Sequence, residues 1–570
     1  MTNDLLTSIG SKSEEHEFYT PIPPGYKPGK TKYVVVFGTV MSGLGKGIFS
    51  ASLAKLIQMK GLNVAPVKFD GYLNYDAGTL NPYRHGEVFV LDDGTETDMD
   101  LGNYERFLNL TLSKENYLTG GRIFTNVLRM ERKGEYLGRD VQIIPHVTGE
   151  IKRFLRNLAM LRKADVIFVE VGGTVGDLEN SYFIEAMREL AYEEGRENVC
   201  FIALTYILEP QFLGEQKSKA AQLGINKLIS FGIQPSIIAC RSHSPITNKI
   251  REKISIYSNV KPNHVVGIHD CDSIYEIPSI LKQNNTDEEV LALLGLKTKD
   301  KEKEKKEFAQ WKEFVDHLLR PKSEVTIAMT GKYTEIRDSY ASIINALEHA
   351  SSVLQTKVNI KWIETTEIEK GKKELKEELK GVSGIIVPGG FGKRGAEGKI
   401  ACVEYARKNK IPYLGICLGF QIAVIEFARN VCNLKNANST EFDSKAQDPV
   451  IDVLPEQLKV DLLGGTMRLG GRDVEVKSGT KAYQLFGNKT KIRERFRHRY
   501  ECNPNYIKHL ESKGMVFSGK APNVPIMQIL ELKDHPFFMG VQYHCEFTST
   551  PLKPQPLFVN FVKAASSFKV

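Results

Sequence analysis

From Tyr33 onward, short apolar runs alternate with segments whose apolar residues recur at helical spacing. The runs are YVVVF, NVAPVKF, DVIFVEV, CFIALTYI, PSIIACR and HVVGIHD. Rich in β-branched residues and bounded by polar or turn-forming ones, they predict strands alternating with helices, and so an α/β fold with a mostly parallel sheet. The mixed-sign run KTKDKEKEKKE at 297–307 interrupts the pattern and offers nothing to bury, which predicts an exposed linker or the start of a helix, with the two domains joined over 297–322. A second βα series follows in EVTIAMTGKY, VNIKWI, GIIVPGGF and IPYLGICLGF. The pattern predicts two doubly wound domains, 31–296 and 323–570. Before them, residues 1–30 are polar and end in PIPPGYKPGK, which predicts a flexible arm.

Composition narrows the class. An apolar share of 41% suits chains with packed cores, and 570 residues suit more than one domain. No run approaches the roughly 18 apolar residues that span a membrane. The opening MTNDLLTSIGSKSEEHEF is polar and acidic, unlike a signal peptide, so a cytoplasmic protein without membrane partners is expected. The net charge of +8 is spread along the chain rather than gathered with aromatics, which argues against nucleic acid as a partner. Eight scattered cysteines lack metal-ligand spacing and read as free thiols.

Two stretches carry chemistry. The first is GTVMSGLGKGIFS, residues 38–50, which follows a strand and opens a helix. This is the build of a phosphate cradle, yet Val40 stands where the first glycine of G-x-x-x-x-G-K-[ST] belongs. Gly47 replaces the hydroxyl residue that would hold Mg²⁺. If the loop grips a triphosphate, the metal needs ligands from elsewhere. The second is Gly415-Ile416-Cys417-Leu418-Gly419, between the strand IPYL and the helical FQIAVIEFAR. It has the form of a nucleophile elbow with cysteine in place of serine. There the helix dipole favours a thiolate. A buried cysteine in a glycine-lined turn would read the same way, and the partners decide between them. VQYHCEF places His544 and Glu546 two apart, on one face if the strand is extended. Glu546 can then orient an imidazole that takes the thiol proton. VPGGFG at 387–392 offers free backbone N–H groups for an oxyanion hole.

These elements together resemble the class I glutamine amidotransferases, whose Cys–His–Glu triad releases ammonia from glutamine. The resemblance implies a glutamyl thioester on Cys417 and glutamine contacts at Gly390, Leu418, Gly419, Phe420, Gln421, Glu441 and Arg499. One departure is Cys545, where that family has proline.

The first half carries long, specific strings: HGEVFVLDDGTETDMDLGNYERF, FVEVGGTVGDLENSYF, GEQKSKAAQ and CRSHSPI. With the glutaminase half, they make residues 31–568 similar to the CTP synthase family. The resemblance implies a P-loop-type synthase domain that aminates UTP to CTP through a 4-phosphoryl intermediate. ATP would lie on Gly43, Leu44, Gly45, Lys46, Gly47 and Ile48, with Asp100 and, on the adenine side, His269, Asp270 and Cys271. Lys46 and Lys68 would act on the transferring phosphoryl group, and Asp100 and Glu170 would hold Mg²⁺. UTP, or CTP as feedback inhibitor, would meet Ser42, Asp177, Leu178, Glu179 and Lys253. Its triphosphate would lie along Lys217, Ser218, Lys219, Ala220, Ala221 and Gln222. GTP activation and a homotetramer able to form filaments follow from the same likeness. Departures such as Thr39, Ala220 and Ala221 remove no charged or metal-binding group. Two other readings stay open on the residues alone: an idle, filament-forming relative, and a P-loop amidotransferase acting on a carboxylate.

Overall fold

A computed structural model describes residues 19, 21–210, 214–331, 337–453 and 467–569. The chain divides into two compact units. One joins residues up to 77 with 103–312; the other joins 78–102 with 313–570.

The first unit is built on a seven-stranded, fully parallel sheet. Its order is Tyr117–Thr119, Val64–Asp70, Val166–Val171, Lys32–Gly38, Val199–Tyr206, Ile237–Ser242 and Val265–His269. The central strand Lys32–Gly38 is apolar on both faces. Tyr33, Val35 and Phe37 enter a core shared with the helices Thr148–Arg162 and Ser181–Glu194, while Val34 and Val36 are equally buried on the opposite side. Burial on both faces is why these strands read as continuous hydrophobic runs.

The second unit holds a nine-stranded sheet with a parallel half and an antiparallel half. The parallel half runs Thr356–Glu364, Ser323–Gly331, Gly384–Val387, Tyr413–Ile416 and Phe538–Val541. Met527–Leu532, Met515–Lys520, Arg468–Val476 and Lys491–His498 continue it antiparallel. Two separate cores flank it: Ile385, Val387 and Tyr413 face one, and Ile386, Leu414 and Ile416 the other.

Three expectations need correction. The stretch 297–322, expected to be a linker with an exposed run or helix start at 297–307, is a 19-residue helix, Lys301–Leu319, for most of its length. Its charged first turns hide an apolar stripe further on, where Trp311, Phe314 and Val315 are buried and the Trp311 indole N–H donates to the Tyr275 carbonyl at 2.9 Å. The stretch 78–102, expected within the first domain, belongs to the second unit.

The expected flexible arm is the third. Residues 1–18 and 20 lie outside the described residues, but Tyr19, Pro23 and Tyr26 pack against the fold while most of 21–30 stays exposed. The Tyr19 hydroxyl donates to Glu150 at 2.6 Å, and its ring stacks on His146. Tyr26 is buried, donates to Glu194 at 3.0 Å and shares a hydrogen bond with the Tyr33 hydroxyl. Tyr26→Ala therefore removes a large side chain and leaves polar groups short of a partner. It is expected to cost about 3 kcal/mol in urea unfolding. Unchanged stability would return this segment to the status of a loose arm.

Candidate active site

In the first unit, the phosphate loop leaves the central strand at Gly38. Val40, Gly43 and Gly45 all take positive φ, at 73°, 73° and 81°. Val40 thus holds the left-handed geometry that a glycine would adopt without strain. The loop feeds the helix Lys46–Met59, whose N-terminal N–H groups suit an anion. Lys46 folds back so that Nζ donates to the Gly173 carbonyl at 2.7 Å, and a Cβ on Gly38 would sit 2.8 Å from that Nζ. Gly38 thus leaves room for the lysine's present path.

Glu170 lies near the C-terminal end of its strand, almost fully buried, and pairs in register with Lys68 on one side and Val36 on the other. Lys68 Nζ is 3.9 Å from Glu170 and 4.0 Å from Asp70, and the Tyr104 hydroxyl donates to Glu170 at 3.1 Å. Asp100 stands in the first turn of the helix Met99–Leu108, one turn before Tyr104. Carboxylates such as these are hard oxygen donors, the chemistry Mg²⁺ requires.

Further along the same unit, a groove of about 870 Å³ brings together Lys217, Ser218, Lys219 and Gln222 with Lys253. Lys249, which sequence reading passed over, joins them because it sits one helical turn before Lys253 in Asn248–Ser258. Four ammonium groups around one groove suit a polyphosphate. Ser218 accepts from Gln222 at 3.0 Å, and Lys217 pairs with Glu215. Ala221 is buried, facing the core rather than the groove. Asp177 accepts the Thr174 N–H at 2.8 Å and precedes the short turn Leu178–Asn180, from which Leu178 projects 82% exposed. His269 ends the last strand of the sheet; Asp270 pairs with Arg241 at 2.5 Å and with His243 at 2.9 Å, and the Cys271 thiol is half-buried.

In the second unit, Cys417 sits at φ 51° and ψ −98° between the strand Tyr413–Ile416 and the helix Leu418–Asn430. The turn is crowded. A Cβ on Gly419 would lie 2.1 Å from the Val387 carbonyl, and one on Gly415 would lie 2.7 Å from Gly419. Only glycine fits either place. The Cys417 sulfur lies 3.7 Å from the Arg497 carbonyl and from the Gln542 amide nitrogen. His544 approaches it from the other side, with Nδ1 2.7 Å from Glu546.

His544 and Glu546 come together differently from the sequence expectation. The strand ends at Val541, and Cys545–Thr548 form a 3₁₀ turn that begins after His544. The tight turn, not an extended face, brings Glu546 back onto the imidazole. Cys545 points into the core and is fully buried. Burial works to lower the His544 pKa, but the charge of Glu546 and the Cys417 sulfur outweigh it and raise the group to about 10. Any stability from this shift is complete below the ordinary histidine value and fades as pH rises through 10.

A small cavity of about 130 Å³ opens on Cys417, His544, Gly389, Gly390 and Phe391. Among the glutamine contacts expected from sequence, Gly390 lines it and Leu418 borders Gly390. Glu441 accepts the Gly392 N–H at 2.6 Å. The buried Nε of Arg499 has no hydrogen-bond partner among the described residues, and Arg499 is not among the residues lining this cavity. Phe420 and Gln421 are buried away from the opening, and the Gln421 amide donates to the Tyr500 carbonyl at 2.9 Å.

A pH dependence follows. Glutamate release is expected to decline once His544 loses its proton, near pH 10. Glu546→Gln removes a negative charge that raises His544, so the alkaline limb should move about one unit or more to lower pH. A limb that stays in place would mean that Glu546 does not set the state of His544.

Both halves of the chain match known protein families. Residues 32–296 match the family described as CTP synthase N-terminus, and 335–564 match glutamine amidotransferase class-I. The chain is 48% identical to a CTP synthase of Caldanaerobacter subterraneus subsp. tengcongensis over 95% of its length and 99% of that protein's. It is 49% identical to one from Thermococcus gammatolerans, at 95% and 99% coverage. With one from Thermus thermophilus it shares 46% identity, at 95% and 98%. The chain belongs to the CTP synthase family.

Proposed function

We infer that this chain makes CTP from UTP, with ATP activating the pyrimidine and glutamine supplying the nitrogen. The observation that carries the reading is the pairing, in one chain, of a Cys417–His544–Glu546 site with a lysine-walled groove on a phosphate-loop unit. By this reading the first unit is the synthase and the second the glutaminase.

In the glutaminase, the Cys417 thiolate attacks the amide carbon of glutamine while Gly390 and Leu418 N–H groups face the developing oxyanion. His544, already carrying a proton, gives it to the departing ammonia, and water then releases glutamate from the thioester. Arg499 and Glu441 hold the substrate's carboxylate and amine. In the synthase, O4 of UTP attacks the terminal phosphorus of ATP and ADP departs. Lys46 and Lys68 face the transferring phosphoryl group, and the lysine groove holds the UTP triphosphate. Asp100 and Glu170 would hold Mg²⁺, which neutralises phosphate charge during transfer. Ammonia then adds to C4, and the C4–O bond breaks to release phosphate.

His269, Asp270 and Cys271 take the adenine side, and Ser42, Asp177 and Glu179 the pyrimidine nucleotide. GTP as activator, CTP as feedback inhibitor, a homotetramer with filament assembly and a cytoplasmic location complete the proposal; the family likeness supports them. Among the described residues no helix is long and apolar enough to cross a membrane.

Incubation with UTP, ATP, Mg²⁺ and glutamine tests the reading. CTP, ADP, phosphate and glutamate are expected in equal amounts. Amination of a carboxylate substrate in preference to UTP, or no product from properly folded protein, would overturn it.

A further inference from the structure

The strand Lys491–His498 runs beside the glutaminase triad. Its Arg495 carbonyl accepts the His544 N–H at 2.8 Å, and its Arg497 carbonyl faces the Cys417 sulfur. On this strand, alternate side chains take partners from the segment 89–97, which the chain supplies some 400 residues earlier. Arg493 holds Asp92 through two nitrogens. Arg495 donates to the Val90 carbonyl and lies over the Phe89 ring. Arg497 Nε donates to Glu96 at 2.7 Å, where Glu96 is almost wholly buried. The Arg497 guanidinium also lies 5.2 Å from the centre of the Phe391 ring, next to Gly390.

We propose that the part-buried Glu96–Arg497 ion pair is a positioning element of the glutaminase, which fixes the Arg497 backbone beside Cys417 and braces the loop that carries Gly390. Arg497 lines the Cys417 cavity and Glu96 does not, so Glu96 acts through Arg497 and not on substrate. Removing the carboxylate leaves the part-buried Arg497 guanidinium without its carboxylate partner, which draws it toward water and away from Phe391. The oxyanion loop then loses its brace, while groups that bind the carboxylate and amine of glutamine stay where they were. The loss should fall on turnover rather than on affinity.

The proposal rests on the glutaminase reading above, and Cys417→Ala run in parallel tests that reading separately. If Cys417→Ala still hydrolyses glutamine, the triad assignment has failed and the pair has not been judged on it. In the full chain, Glu96→Gln is expected to lower kcat for glutamate release about tenfold with KM for glutamine within about twofold. CTP formation from ammonium salts should be unaltered. Glu96→Asp should recover part of the loss. Arg497→Gln should match Glu96→Gln, and the double variant should be no worse than either, as coupled partners require. Equal losses in the glutamine and ammonia reactions would show a general lesion and overturn the proposal. An effect confined to KM, or additive losses in the double variant, would overturn it too. Should Glu96→Gln fail to fold, Arg497→Gln decides by the same split between kcat and KM.

Discussion

Cys417→Ala is expected to lower CTP formation from glutamine by roughly a thousandfold or more, while added ammonium salts still support it at nearly the original rate. The asymmetry follows from where the thiol sits. Cys417 is the residue that the crowded elbow turns toward His544, and its chemistry only liberates ammonia. None of the other cysteines has that setting. Burial pushes the thiols of Cys200, Cys240 and Cys402 up to about 12 and that of Cys271 to about 11, which keeps them protonated and inert. Cys545 is raised as well, by burial and then by the nearby Glu546 and Glu494 charges. Cys545→Ala should therefore leave the glutamine reaction within about threefold of the original, since it removes a small buried group and no reactive one. His544→Ala should resemble Cys417→Ala but retain a trace of activity, because a thiolate at a helix N-terminus is partly formed without a base. Complete loss of the ammonia reaction in folded Cys417→Ala protein would contradict the proposed division of labour between the two units.

What could be read from the sequence depended on how local the determining interactions are. The elbow was legible because Gly415, Cys417 and Gly419 are close in sequence and mark the turn by themselves, although the crowding at Gly419 comes from Val387 on the neighbouring strand. The phosphate loop was legible for the same reason, although nothing local announced that Val40 would accept a positive φ. His544 and Glu546 were identified correctly as neighbours, but the geometry was misjudged. An apolar run such as VQYHCEF reads as strand to its end, whereas the Glu494 side chain pins the following turn by accepting from Thr548 at 3.0 Å and from Gln555 at 2.9 Å. Those partners lie over 50 residues from Glu494 in sequence, beyond any periodicity. The packed Tyr26, the membership of residues 78–102 in the second unit and the burial of Trp311 share this origin. Each is fixed by a partner far along the chain: Glu194 for Tyr26, Arg497 for Glu96 and Tyr275 for Trp311. Lys249 was missed for a simpler reason: one lysine in a polar helix carries no signal until the groove beside it is seen.

Asp100→Asn and Glu170→Gln should each reduce CTP formation by at least roughly a thousandfold, whether glutamine or ammonia supplies the nitrogen. The argument begins at Gly47. A phosphate loop that ends in Lys-Ser or Lys-Thr carries its own metal ligand, and this one cannot. By the proposed reading, Mg²⁺ would be held on side chains from other elements, and buried Glu170, opposite Lys68 in register, offers a hard oxygen donor for it. Amide substitutions are the informative ones. Glu170→Ala would leave Lys68 buried beside a cavity and Tyr104 without its acceptor, so loss of activity could reflect loss of folding. Gln and Asn keep the volume and most hydrogen bonds but remove the charge that binds the metal. Glutamate release without nucleotides should continue in both variants, since the triad takes no part in metal binding. Raised Mg²⁺ should recover some CTP formation in whichever variant retains the other carboxylate's hold. If both variants make CTP at near the original rate and with the original Mg²⁺ dependence, the metal is held by other groups, and the assignment of Asp100 and Glu170 is wrong.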